Sequence, residues 1–194
     1  MYWDEAYKSR PPWDIDYPQP AFQALINNGE IKPSKVLDIG CGRGENAIML
    51  AKRGCDVTGM DLVKGAIADA KVKAIERHVK ANFIVGNVLH IDKLFMEEEF
   101  DIVIDSGLFH AMTDEERPIF ARQVHRVLKK GGRYFMLCFS DKEPAGYGPR
   151  RVSKTEIEQT FTPLFKIIYI KDTTFDSRFG PASRKAYLLS AVRN

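Results

Sequence analysis

The chemistry of this chain concentrates where the apolar run Val36-Leu37-Asp38-Ile39 meets Gly40-Cys41-Gly42-Arg43-Gly44-Glu45. Three alternating glycines stand there between a strand-like pattern and a helical one. Without Cβ atoms they can take positive φ and let a ligand lie against the backbone. The helix they open begins with unpaired N–H groups that favour a polar or anionic ligand. Asp61, in Thr58-Gly59-Met60-Asp61, stands about twenty residues further on, where a carboxylate at the end of a second strand can accept from both hydroxyls of a ribose. Asp38 would stiffen the loop or reach a ligand ammonium group through water. Together these residues point to an adenosine-containing cofactor. The plainer alternative is an ordinary strand-to-helix turn, with Asp61 capping the following helix.

The elements needed to position that loop are readable from periodicity. Strand-like runs cover Val36–Ile39, Asp56–Met60, Phe83–Val85, Ile102–Ile104 and Arg133–Phe139. Helical patterns cover Glu45–Arg53, Lys64–Lys80 and Asp114–Lys129, the last stopped by Gly131-Gly132. Short apolar strands separated by helices predict βαβ units and a mostly parallel sheet with helices on both faces. A helix at Lys154–Thr160 precedes strands at Phe165–Ile170 and Ala186–Val192. The segment between those strands holds Gly180-Pro181 and lacks helical periodicity, so it cannot make the usual parallel crossover. The α/β fold expected is therefore one sheet with six parallel strands and a reversed seventh. This disfavours the dinucleotide fold, as does the glycine spacing, because Glu45 stands where G-x-G-x-x-G needs a small residue.

Composition narrows the class. With 194 residues the chain suits one domain spanning 1–194, with an arm and short helix (Ala21–Asn28) in 1–30 and the core in 35–194. The formal charge is only +3 and dispersed, so no nucleic-acid partner is expected. Cys41, Cys55 and Cys138 form no CxxC pair, which suits a reducing compartment. The acidic, aromatic start is unlike a signal peptide, and no apolar run is long enough to cross a membrane. A cytoplasmic protein acting on a small molecule, as monomer or homodimer, is the expectation.

Three segments resemble the class I methyltransferases that use S-adenosyl-L-methionine (SAM): Val36 to Gly44 their first motif, Phe100-Asp101-Ile102-Val103-Ile104-Asp105 their fourth strand, and Leu128-Lys129-Lys130-Gly131-Gly132-Arg133 the turn before their fifth. The arm Trp13-Asp14-Ile15-Asp16-Tyr17-Pro18-Gln19-Pro20 is similar to that of the thiopurine and thiol or halide methyltransferases, although Asp16 stands where glycine is usual. Asp105 to His110 and Leu137 to Asp141 extend the likeness. The resemblance implies a Rossmann-like fold of seven strands, with SAM as cofactor and S-adenosyl-L-homocysteine as product. It implies that Gly40, with Cys41, Gly42 and Gly44, holds the methionine part, that Asp61 binds the ribose, and that Leu62 and Val88 sandwich the adenine. Asn87 stands where an aspartate often meets the adenine amino group. Trp13, Asp38 and Asp105 complete the implied cofactor set.

Methyl transfer from a sulfonium is a direct displacement that needs no metal and no covalent enzyme intermediate. A thiol acceptor, with pKa near 8.5, would need little help, whereas a phenolic or heteroaromatic hydroxyl would gain from a base. His110, after the fourth strand, is the candidate base; the alternative is that it caps or packs at the next helix. Trp3, Tyr17, Phe109, Phe139 and Tyr147 are candidates for an apolar acceptor pocket, beside the alternative that they are ordinary core. Arg150 and Arg151 would hold an acceptor carboxylate or be a solvated pair. Two other functions stay open, an RNA or protein methyltransferase and a non-catalytic SAM-binding module. No Asn-Pro-Pro-Tyr motif supports the first.

Overall fold

In the computed structural model, which describes residues 2–146, 148–178 and 184–194, the arm begins with a helix that periodicity did not predict, α1 (Tyr2–Lys8). Then follow α2 (Pro20–Asn27), β1 (Lys35–Ile39), α3 (Glu45–Lys52), β2 (Asp56–Asp61), α4 (Lys64–Glu76) and β3 (Asn82–Val85). The second half holds β4 (Phe100–Ser106), α5 (Glu116–Val127), β5 (Leu128–Phe139), α6 (Lys154–Phe161), β6 (Phe165–Phe175) and β7 (Arg184–Arg193). All seven strands join one sheet in the order β3-β2-β1-β4-β5-β7-β6. The pairs among β1 to β5 are parallel, and β7 runs antiparallel between β5 and β6. This is the expected architecture.

Period-two burial separates the core into two layers. Leu37, Val103, Tyr134 and Met136 face one way, against Phe120, Val124 and Phe161 of α5 and α6. Val36, Ile104, Phe135 and Leu137 face the other, against Phe22, Ile48 and Ile67 of α2, α3 and α4. The sheet is thus buried on both faces, as parallel strands require.

Two boundaries differ from expectation for local reasons. The α4 pattern continues to Lys80, but the helix stops at Glu76 because His78 adopts a left-handed φ of 54°. The α5 pattern runs into the glycine pair, but Leu128 is already extended (ψ 140°) and pairs with Phe100. The register then shifts, Ile102 pairing with Arg133, so the extra residues, with Gly131 at φ 76°, bulge out of β5. The predicted turn before β5 is therefore an irregular start of β5 itself.

Candidate active site

The glycine loop lies at the carboxyl end of β1, where ligands bind in open α/β sheets. Cys41 N–H donates to the Met60 carbonyl at 3.0 Å, tying the loop to β2. Asp61 fixes it further: one carboxylate oxygen accepts from Gly42 N–H and the other from Val63 N–H, both at 2.9 Å. Asp61 therefore organises the turn before α4, where Val63 and not Asp61 holds the N-cap position, and ties that turn to the glycine loop. Gly42 and Gly44 take φ of 53° and 81°. A Cβ on Gly44 would lie 2.8 Å from the Phe83 ring, and one on Gly42 2.6 Å from the Tyr7 hydroxyl. The loop is a cradle that side chains would fill.

Below it lie buried acids. Asp38 is 1% exposed, and neither carboxylate oxygen has a hydrogen-bond partner of normal geometry. Burial, with Asp105 and Asp61 close by, raises its pKa well above the usual carboxylate range, and the Ala47 amide offsets this only in part. A buried carboxyl without partners costs several kcal/mol, so Asp38 suits a site completed by a cation. A ligand with a sulfonium and an ammonium group supplies that chemistry, and the glycine loop offers backbone at the carboxyl end of β1 with no side chain in the way. The residues fit the cofactor that the sequence resemblance implies. Asp105 is also fully buried but satisfied, accepting from Leu108 N–H (2.7 Å), Phe109 N–H (3.0 Å) and the Tyr134 hydroxyl (3.1 Å). Burial pushes it to about 7. It organises the turn after β4 and offers no free edge to a ligand.

The arm forms the roof. Tyr7 lies over Gly42 and its hydroxyl accepts from Trp13 Nε1 at 3.3 Å. Arg43 of the loop donates to the Tyr7 carbonyl (3.3 Å) and to Asp69 of α4 (2.7 Å), and it pairs with Asp14. Gln19 exchanges two hydrogen bonds with the backbone of Asp176, of 3.0 and 2.9 Å, just past β6. Under this roof lies a cavity of about 60 Å³ that Trp13, Ile15, Tyr17, Phe175 and the loop from Gly40 to Gly44 line. Ser106 of β4 completes it.

The other expected residues are not among those that line this cavity. Leu62 is exposed at 36% and Val88 is buried, on the β2–β3 side. The Asn87 side chain accepts from Leu89 N–H at 2.9 Å, capping a short helical turn. Trp3 packs edge-on to Trp13. Phe109 belongs to the core rather than the cavity, fully buried against Phe120 and Phe161 with Arg117 over its ring. Arg150 is held in ion pairs with Asp114 and Glu156, and Arg151 caps the Pro144 and Pro149 carbonyls. Tyr147 lies outside the described residues. His110 packs between Phe139 and Phe175 while Nδ1 accepts from Phe139 N–H at 3.0 Å. Burial, with Arg117 and Arg151 nearby, lowers it to about 3, so the ring is neutral with its proton on Nε2. Of its two expected roles, packing is what this arrangement describes. Sequence reasoning missed Tyr7, Arg43 and the Gln19–Asp176 clasp. The only signal for Tyr7 was its place in an aromatic-rich arm.

Residues 36–132 match the methyltransferase domain family. The 2-heptyl-1-hydroxyquinolin-4(1H)-one methyltransferase of Mycobacteroides abscessus is 35% identical over 84% of this chain and 72% of that protein. The "Probable thiol methyltransferase 2" of Arabidopsis thaliana is 29% identical over 88% of this chain and 76% of that protein. A structure solved under the heading of conversion of a disulfide bond into a thioacetal group during echinomycin biosynthesis superposes with a TM-score of 0.89 at 32% identity. That superposition covers 100% of this chain and 92% of that one. With a seven-stranded sheet reversed at its last strand and a cradle suited to a sulfonium cofactor, the chain belongs to the class I SAM-dependent methyltransferases.

Proposed function

We propose that this enzyme methylates a small, readily ionised nucleophile, a thiol or a hydroxyl or ring heteroatom of a planar heteroaromatic compound. The observation that carries the reading is the aromatic roof. Trp13, Tyr17 and Phe175 line the space beside the glycine loop with aromatic faces, the kind of surface on which a small planar or sulfur-bearing acceptor packs. The relatives named for a hydroxyquinolone and for thiols support the same class. When bound, SAM supplies an electrophilic methyl group for direct displacement. The cradle from Gly40 to Gly44, Asp38, Asp61, Leu62, Asn87 and Val88 would hold and orient it. Well-oriented pairs can gain roughly 7–11 kcal/mol from alignment alone.

The chain itself supplies no free base at His110, whose Nδ1 is occupied and whose Nε2 carries the proton. The acceptor's own acidity then provides the nucleophile. We further propose that the chain works as one domain in the cytoplasm, as monomer or homodimer and without nucleic acid. Its three free cysteines support a reducing compartment.

A labelled-methyl screen of thiols, phenols and hydroxylated heterocycles tests this reading. Transfer to at least one such acceptor is expected, with kcat/KM rising with pH according to that acceptor's pKa. His110→Gln should keep the same profile. Transfer only to RNA or protein extract would contradict the proposal, as would a profile that follows one enzyme group whatever the acceptor.

A further inference from the structure

Most polar side chains that line the cavity are engaged within the chain. Asp14 pairs with Arg43, Glu45 is held by Lys73 and Arg77, and the Tyr17 hydroxyl donates to Asp176. Both ends of the Gln19 amide bond the Asp176 backbone. The hydroxyl of Ser106 differs. It stands half-buried in the cavity wall and has no hydrogen-bond partner among the described residues. Its backbone is fixed from both sides. The Ile39–Asp105 pair sets Ser106 beside Gly40 at the carboxyl end of β4, on the sheet face of Ile102 and Ile104. Gly107, the next residue, donates its N–H to the Leu137 carbonyl at 2.9 Å, and the Asp105 carboxylate holds the turn that follows. A group with one proton and two lone pairs is thus presented to the cavity in a set place.

We propose that Ser106 is a specificity residue for the acceptor, its hydroxyl donating to a lone pair on an atom adjacent to the nucleophilic group. The inference rests on the small-acceptor reading above and narrows it. The favoured acceptors are heteroaromatic thiols and hydroxyls with a ring nitrogen or carbonyl oxygen next to that group. Such a ring packs on Trp13, Tyr17 and Phe175 while its second heteroatom meets the hydroxyl. The bond turns the nucleophile toward the glycine loop and leaves the lone pair that attacks the methyl group free. An analogue without the second heteroatom leaves the hydroxyl unpaired, and the site discriminates against it for that reason.

Acceptors matched except for one ring atom test the assignment: thiophenol against pyridine-2-thiol, and 1-naphthol against 8-hydroxyquinoline. Each acceptor is compared with itself across two full-length chains, the parent and Ser106→Ala, so its intrinsic acidity cancels. Ser106→Ala should lower kcat/KM for the nitrogen-bearing member about tenfold, the size of one lost hydrogen bond, and change the other member less than about twofold. Calorimetry of the acceptors on the S-adenosylhomocysteine complex should show the same selective loss in Kd. Affinity for S-adenosylhomocysteine itself and the melting temperature should match the parent's. Equal loss for both members, or no loss for either, would overturn the proposal. Weaker S-adenosylhomocysteine binding would overturn it too, by making Ser106 a cofactor residue. A parent chain that takes thiophenol or 1-naphthol and refuses the nitrogen analogues would also contradict it. If the parent methylates no small acceptor, the reading beneath falls and the proposal with it, a result distinct from a selective failure at Ser106.

Discussion

Asp38 is where stability and binding pull in opposite directions. A carboxyl whose pKa is raised in the folded state binds its proton more tightly there than in the unfolded chain. Its contribution to stability is fully present below the unfolded value near 3.9 and is lost as pH rises through the folded value. Asp105, at about 7 in the folded state, follows the same sign between those limits. The free protein should therefore be less stable at pH 8 than at pH 5. Asp38→Asn keeps the shape and removes the charge, so at pH 8 its melting temperature should rise by several degrees. That gain should shrink as the pH falls, because the raised pKa favours the protonated, uncharged form of Asp38. The same variant should bind SAM at least about tenfold more weakly, since the cation loses its counter-charge. Thermal melts across pH, with and without SAM, check both halves. A substitution that lowers stability at pH 8 while leaving SAM affinity intact would contradict this role.

At the scale of elements, the glycine loop and the arm form one device. Gly42→Ala would bring a Cβ to 2.6 Å from the Tyr7 hydroxyl at a φ of 53°, a strain of about 1–2 kcal/mol before any clash is relieved. Trypsin cleavage after the exposed Lys8 should speed up severalfold while the core from β1 onward stays resistant. Cleavage no faster than in the parent would show that α1 does not rest on this glycine. The loop itself was legible because its spacing is chemical: glycines, acid, strand and helix appear in order. Roof contacts were not, because Gln19 meets Asp176 across 157 residues, and no local pattern records such a pairing. Phe109 shows the converse limit. Its place after a strand suggested a pocket, but the turn that Asp105 organises points the ring into the core between Phe120 and Phe161. Arg150 was expected to hold an acceptor carboxylate or to be solvated, because its partners, Asp114 and Glu156, lie on other elements.

For the whole molecule, the reversed β7 was predictable from the missing crossover helix, and its insertion between β5 and β6 completes a sheet with helices on both faces. That sheet brings the carboxyl ends of β1, β2 and β4 together and so gathers Asp38, Asp61 and Ser106 at one edge. The central claim is that this edge grips the ribose of SAM through Asp61. Titration calorimetry of the parent chain and Asp61→Ala with SAM tests it most directly, with thermal melts to verify that the variant remains folded. Loss of the charged hydrogen bonds predicts binding weaker by about a hundredfold or more. A folded Asp61→Ala chain that bound SAM as tightly as the parent would contradict it.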